Sequence, residues 1–149
     1  HGLPEDHLEI LSTSRREFAK YPGDRAEYQN GYDRTIEALQ SGTVSTAFIG
    51  NNDMTALGIM DAIAELGYKI PYDYSVCGFD NIPLASMKQI SLTTIEHATV
   101  QKGHEAVDLI HKKHSQDHSG RQPSYTVRLE YEPQLIVRNS TGKCRKNLR

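Results

Sequence analysis

Thr46-Ala47-Phe48-Ile49-Gly50-Asn51-Asn52-Asp53-Met54-Thr55-Ala56-Leu57-Gly58 opens the stretch whose reading decides the fold, and Ser75-Val76-Cys77-Gly78-Phe79-Asp80-Asn81 closes it. Thr46–Ile49 has the length and apolar character of a buried strand. Asn52 and Asp53 follow with short oxygen-bearing side chains that suit the cap of a helix. Ala56–Leu66 is apolar apart from Asp61 and Glu65, which predicts a helix lying largely buried against a sheet. Gly67 suits the left-handed residue that ends a helix, and Ser75–Phe79 is the next apolar run. Strand, helix and strand in about thirty residues make a βαβ unit. Such a unit implies parallel strands joined by a right-handed crossover.

Both strands end on polar residues, Asn51, Asn52 and Asp53 after the first, Asp80 and Asn81 after the second. In an open parallel sheet, ligands bind outside the carboxyl ends of the strands. Asn52 and Asp80 are therefore expected on one rim, within reach of one small ligand. A carboxylate accepts hydrogen bonds and an amide both accepts and donates, so the pair suits hydroxyl groups. The competing reading is helix capping and loop hydrogen bonding, for which Asn and Asp are common in loops. It weighs more on Asn52 than on Asp80, since no helix obviously starts at Asp80.

Four motifs in order extend the argument. They are Asn52-Asp53-x-x-Ala56-Leu57-Gly58; Gly67-x-x-Ile70-Pro71-x-Asp73-x-Ser75-Val76-x-Gly78-Phe79-Asp80; Leu92-Thr93-Thr94-Ile95; and Leu135-Ile136-Val137-Arg138-x-Ser140-Thr141. In this order and spacing the chain resembles the lactose-repressor (LacI/GalR) family of bacterial transcription regulators, from about Gly23 to Thr141. The resemblance is to the C-terminal half of the family's effector-binding core. It implies an α/β fold, an open and mostly parallel sheet with helices on both faces, of the periplasmic-binding-protein-like kind. It also implies a division of the chain. Residues 1–94 form the C-terminal effector-binding subdomain. Residues 95–117 form a crossing segment and a helix that normally belongs to the N-terminal subdomain. Residues 118–149 return to the C-terminal subdomain and end in a basic tail. Nothing resembles the family's DNA-binding head.

Composition bounds the rest. The chain has 149 residues, enough for one domain with a core. A formal net charge of −2 supplies no global basic field to draw it to nucleic acid or membrane. No apolar run is long enough to span a bilayer. The opening His1-Gly2-Leu3-Pro4 implies residues upstream. Cys77 and Cys144 form no framework and read as free thiols, in keeping with a reducing cytoplasm.

Along the chain, His7–Leu11 suggests a short strand. Pro22-Gly23-Asp24 is a break, and Asp24 followed by Glu27 has the form of a capping box. Tyr28, Tyr32, Ile36 and Leu39 recur at helical spacing and predict an amphipathic helix ending at Ser41-Gly42. After the βαβ unit, Leu84–Met87 suggests a helical turn and Ser91–Ile95 a strand or crossing segment. Thr99–His114 predicts a helix with an apolar stripe of Val100, Val107 and Ile110. That stripe needs a surface, either this chain's own sheet or a second copy. Tyr125, Val127, Leu129 and Tyr131 alternate with polar residues and predict a half-buried strand, and Leu135–Val137 a last short one.

Two further residues are candidates for the rim. Arg25 follows Gly23-Asp24, at the position where the resemblance places a pocket-lining residue, often aromatic. An arginine there grips a charged or polyhydroxy ligand, or is a solvated helix residue. His97 follows the Leu-Thr-Thr-Ile motif, where relatives often place a polar cleft residue; the alternative is a solvated loop histidine. His104, His111, His114 and His118 have spacings that a zinc site could use, but nothing completes an established pattern. They read as a solvated helix face, with no metal and no cofactor. An enzyme is not expected, because no nucleophile, base and orienting group come together. The function implied by the resemblance is effector sensing by a cytoplasmic, homodimeric regulator. Its ligand is a small polar metabolite, a sugar or sugar derivative, less often a nucleobase. DNA is reached only through the missing N-terminal head, and no membrane is involved. The alternative is a transport-linked, periplasmic-type sugar-binding protein, which shares the fold and the cleft.

Overall fold

The computed structural model describes residues 8–14, 18–21, 23–116 and 126–144. Strands β1 (Ala47–Ile49) and β2 (Ser75–Cys77) pair in parallel, with Phe48 opposite Val76. Helix α1 (Ala26–Gln40) precedes β1 and helix α2 (Asp53–Glu65) links β1 to β2. The ladder continues past β2, where the Gly78 N–H donates to the Thr93 carbonyl and the Asp80 N–H to that of Ile95, both at 2.9 Å. This carries the sheet onto β3 (Thr94–Glu96), which pairs antiparallel with β4 (Gln134–Ile136). Helix α3 (Thr99–Gln116) lies between them in sequence. The α/β class and the parallel sense of the central strands follow the sequence reading.

The helix boundaries have local causes. The Asn52 side-chain oxygen accepts from the Thr55 N–H at 2.8 Å, which caps α2. Gly67 at φ 81° ends it. One apolar face of α2, with Ala56, Ile59 and Ile63, packs against Phe48 and Val76, and Tyr74, Ala85 and Leu92 complete the core. Val76, Ile63 and Leu92 have no exposed surface. Helix α1 crosses α2 through small residues. A Cβ on Gly58 would lie 2.0 Å from the Tyr28 carbonyl oxygen, and one on Gly31 would lie 2.3 Å from that of Thr55. The buried residues of α1 are Ala26, Gly31, Thr35 and Ala38. The periodic tyrosines instead sit at the edges of this contact, where Tyr28 donates to Asp61 and Tyr32 to Glu65. Both pairs advance in the same sense along the two helices, so their N-termini lie towards the same end.

The final motif acts as a clasp. The Ser140 hydroxyl donates to the Val76 carbonyl at 2.6 Å and accepts from the Thr93 N–H at 2.8 Å. It thus joins β2 to the segment entering β3.

Three expectations are corrected, and a fourth is narrowed. Asp24 is not the N-cap of α1: that position is Arg25, in helical conformation and without a side-chain cap, behind a 3-10 turn at Gly23–Arg25. Residues 8–11 are not in a strand. Residues 126–131 are not in a strand either, and Val127 and Leu129 are exposed: among the described residues no neighbouring strand pairs with the alternating pattern, and Tyr125 lies outside them. Of the two surfaces expected for the apolar stripe of α3, the chain's own sheet is not the one it meets: Val100, Val107 and Ile110 are 75%, 65% and 68% exposed. The chain enters α3 through Ala98 at φ 58°, and the helix stands away from the core. Among the described residues, no helix is long and apolar enough to cross a membrane.

Candidate ligand-binding rim

Parallel pairing of β1 and β2 puts their carboxyl ends side by side, and the chain segments that follow are stitched together. The Asp53 N–H donates to the Phe79 carbonyl at 2.8 Å. Asn52 and Asp80 each stand one residue from that bond, on the same edge of the sheet. Asp53 is wholly buried. Its carboxylate accepts from the Thr94 hydroxyl and, at 2.8 Å, from the Ile82 N–H. A negative group at the first turn of α2 is also favoured by the helix dipole. One side chain thereby fixes the start of α2, the turn after β2, and β3.

Asp80 and His97 meet. Asp80 Oδ1 lies 3.1 Å from His97 Nε2, with the side chains 40% and 26% exposed. The His97 ring stacks on Phe79, centroids 5.2 Å apart and planes 22° from parallel. Lys102 Nζ lies 2.9 Å from His97 Nδ1. An ammonium only donates, so Nδ1 must accept, and the hydrogen of the neutral ring sits on Nε2, where it can donate to Asp80. Thr99 Oγ1 is also near Nε2, at 3.4 Å. A catalytic relay divides the two ring nitrogens between an acid and a nucleophile. Here both contacts fall on Nε2 and Lys102 occupies Nδ1. The contacts place an acceptor at Asp80 beside an imidazole whose ring nitrogens are both engaged.

The rim is tied to its surroundings on both sides. Lys102 also lies over the Tyr131 ring, 5.5 Å from its centroid, and the Tyr131 hydroxyl donates to Glu105. That bond holds the Glu105 carboxyl below the usual carboxylate range, with Gln101 adding to it, and pushes the Tyr131 phenol up. The Asn81 amide donates to Glu96 at 3.1 Å and is the main cause of a lowered Glu96 pKa, to which the Thr99 and Ala98 N–H groups add.

Of the four residues singled out in the sequence, Asp80 and His97 are in contact and Asn52 lies beside them with its side-chain oxygen committed to the α2 cap. Arg25 is exposed at the start of α1, towards the same end as Asn52, and no contact among the described residues joins it to the other three. Sequence reasoning missed Lys102, Tyr131 and the buried role of Asp53. Two hollows, of about 340 and 350 Å³, lie elsewhere. One lies between α1 and the end of α2, the other beside Met60, Tyr68 and Ser91. Neither includes Asn52, Asp80 or His97. Among the described residues, no three metal-ligating side chains come together; His118 lies outside them.

Comparison with known proteins agrees with this architecture. Residues 6–141 match the model of the periplasmic binding protein-like domain. The chain is 36% identical over 115 residues to the HTH-type transcriptional repressor PurR of Glaesserella parasuis, covering 75% of this chain and 33% of the relative. It thus spans about a third of the length of that curated relative. Among solved structures, it resembles a LacI-family transcriptional regulatory protein from Corynebacterium glutamicum. The identity is 35% and the TM-score 0.64, over 81% of this chain and 44% of that one. It also resembles a LacI family regulator from Enterococcus faecalis with bound ribose, at 32% identity and TM-score 0.64, over 76% of this chain and 40% of that one. The chain belongs to the periplasmic binding protein-like domain family, and within it the likeness is to the LacI-type transcription regulators.

Proposed function

We propose that this chain is the C-terminal part of the effector-sensing core of a LacI-type transcription regulator, and that its rim binds a small polar metabolite of the sugar class. The observation that carries the reading is the Asp80–His97 pair at the carboxyl edge of a parallel sheet, beside the cap of α2 at Asn52. In this reading Asp80 accepts from ligand hydroxyls and His97 orients it. The Asn52 amide nitrogen donates from the neighbouring loop, and Arg25 approaches from the start of α1. Residues 1–94 and 118–149 supply one wall of the cleft. Residues 95–117 cross to the other subdomain, which would cover the exposed face of α3. DNA is reached through a head outside this sequence, by a cytoplasmic homodimer without enzymatic activity. A ligand shifts such an equilibrium only by its differential affinity for the two orientations of the cleft. A transport-linked sugar-binding protein would share the fold; the repressor and regulator names of the relatives favour the present reading.

The test is titration of the full-length protein with D-ribose and related monosaccharides. Asp80→Ala is expected to weaken binding about ten- to hundredfold, the loss of a charge-assisted hydrogen bond of roughly 1.5–3 kcal/mol. A binding isotherm that Asp80→Ala leaves unchanged would rule out this assignment.

A further inference from the structure

Asp80 sits at φ 108° and Asn81 at φ 51°, two consecutive residues other than glycine in the left-handed region. Such a turn is unfavourable and persists only where its surroundings over-determine it. Its direction matters, because it sets where the Asp80 carboxylate points.

The contacts that over-determine it converge on Asn81. Arg138 Nη2 donates to Asn81 Oδ1 at 2.7 Å. Asn81 Nδ2 donates in turn to Glu96 at 3.1 Å. The Asn81 N–H points to the Thr94 hydroxyl at 3.4 Å. Arg138 is itself anchored: Nη1 donates to the Leu92 carbonyl at 2.7 Å, and its backbone N–H to the Thr93 hydroxyl at 2.9 Å. Its planar fork therefore spans the gap between the segment entering β3 and the turn after β2. A lysine donates from a single nitrogen and lacks the fork that reaches two separated acceptors. The sequence pattern Val137-Arg138-x-Ser140 thus does two separate things, since Ser140 clasps β2 and Arg138 reaches the rim.

We infer that Arg138 is a positioning residue for Asp80: acting through Asn81, it holds the left-handed turn that aims the carboxylate into the cleft. This rests on the reading of Asp80 as a ligand group, but the turn can be tested with no ligand present.

The measurement is amide hydrogen exchange, residue by residue, in the 149-residue chain. The Asp80 N–H is bonded to the Ile95 carbonyl and reports opening of the turn, while the buried Ala62 and Ile63 of α2 report the core. Arg138→Met is expected to accelerate Asp80 exchange by roughly ten- to hundredfold, the loss of one charge-assisted bond, and to leave Ala62 and Ile63 at wild-type rates. Arg138→Lys is expected to restore part of the protection, and it supplies the comparison if Arg138→Met fails to fold. Asn81→Gly removes the tether while letting the backbone keep a positive φ. In that background Arg138→Met is expected to change Asp80 exchange no further, since the coupling between the two sites is then gone. Unchanged Asp80 exchange in Arg138→Met would overturn the inference. So would a parallel acceleration of Asp80, Ala62 and Ile63, which would mean general support of the fold, or an equal effect with and without the Asn81 side chain. Failure of the ligand reading looks different: the exchange pattern holds, yet Asp80→Ala leaves sugar binding unchanged.

Discussion

Replacing Asp53 by Ala and by Asn should give two well-separated losses of stability. The carboxylate is fully buried and accepts from the Ile82 N–H and the Thr94 hydroxyl. Alanine leaves both donors without this partner, and each buried orphan costs about 1–3 kcal/mol. It also removes a negative group from the first turn of α2, worth roughly 0.3–1 kcal/mol. After partial relaxation the expected total is about 3–5 kcal/mol, a large part of the 5–15 kcal/mol typical of a domain. Asparagine keeps the shape. Its carbonyl can still accept from the Ile82 N–H, and its amide can donate to the Thr94 hydroxyl, which can rotate to accept. Only the charge-assisted part is then lost, about 1–2 kcal/mol. Urea unfolding followed by near-ultraviolet circular dichroism suits the measurement, because Phe48, Tyr68 and Tyr74 form an aromatic cluster at the core. An Asp53→Ala variant within 1 kcal/mol of wild type would refute the reasoning, as would asparagine costing more than alanine.

Gly58→Ala should destabilise the chain despite the better helix propensity of alanine. The new Cβ would meet the Tyr28 carbonyl at 2.0 Å, and overpacking against backbone costs about 1–3 kcal/mol; a urea midpoint at or above wild type would contradict the crossing described for α1 and α2. Stability should also fall at high pH through Tyr28. Its phenol is pushed up to about 12, first by donating to Asp61 and then by burial. The contribution is complete below the ordinary phenol value of about 10 and is lost as pH climbs from there through about 12. Tyr28→Phe should flatten that part of the pH profile, and an undiminished slope in the variant would show that the bond is not responsible.

The βαβ unit was legible because each of its signals is local. An apolar run, the Asn52 cap, a mostly apolar helix and Gly67 lie in order along the chain, and the rim follows from parallel pairing alone. What could not be read depends on contacts between distant residues. Asp53 looks like any first-turn acid; only Thr94 and Ile82, far along the chain, make it a buried hub. Tyr131 reads as a strand residue, and nothing local marks Lys102, until the fold brings Lys102 onto both His97 and the Tyr131 ring. Helix α1 misleads for a different reason. Hydrophobic periodicity pointed to the tyrosines, Ile36 and Leu39, whereas close backbone approach selected Gly31, Thr35 and Ala38 for the buried face. The alternation at Tyr125–Tyr131 describes a strand only where a neighbour exists to pair with it, and among the described residues, residues 126–131 have none.

The bare face of α3 has a consequence for how the chain loses its structure. An 18-residue helix is marginal in water without a packed face, and α3 is held to the rest of the described structure mainly at its first turns, through Lys102 and Glu105. Its melting is therefore largely decoupled from that of the β1–β2 core. Helical ellipticity sums a gradual transition from α3 and a sharp one from α1 and α2, so a single van't Hoff enthalpy drawn from it falls below the calorimetric value. The cooperative unit is smaller than the folded chain, and only anchoring the far end of α3 would make the two coincide.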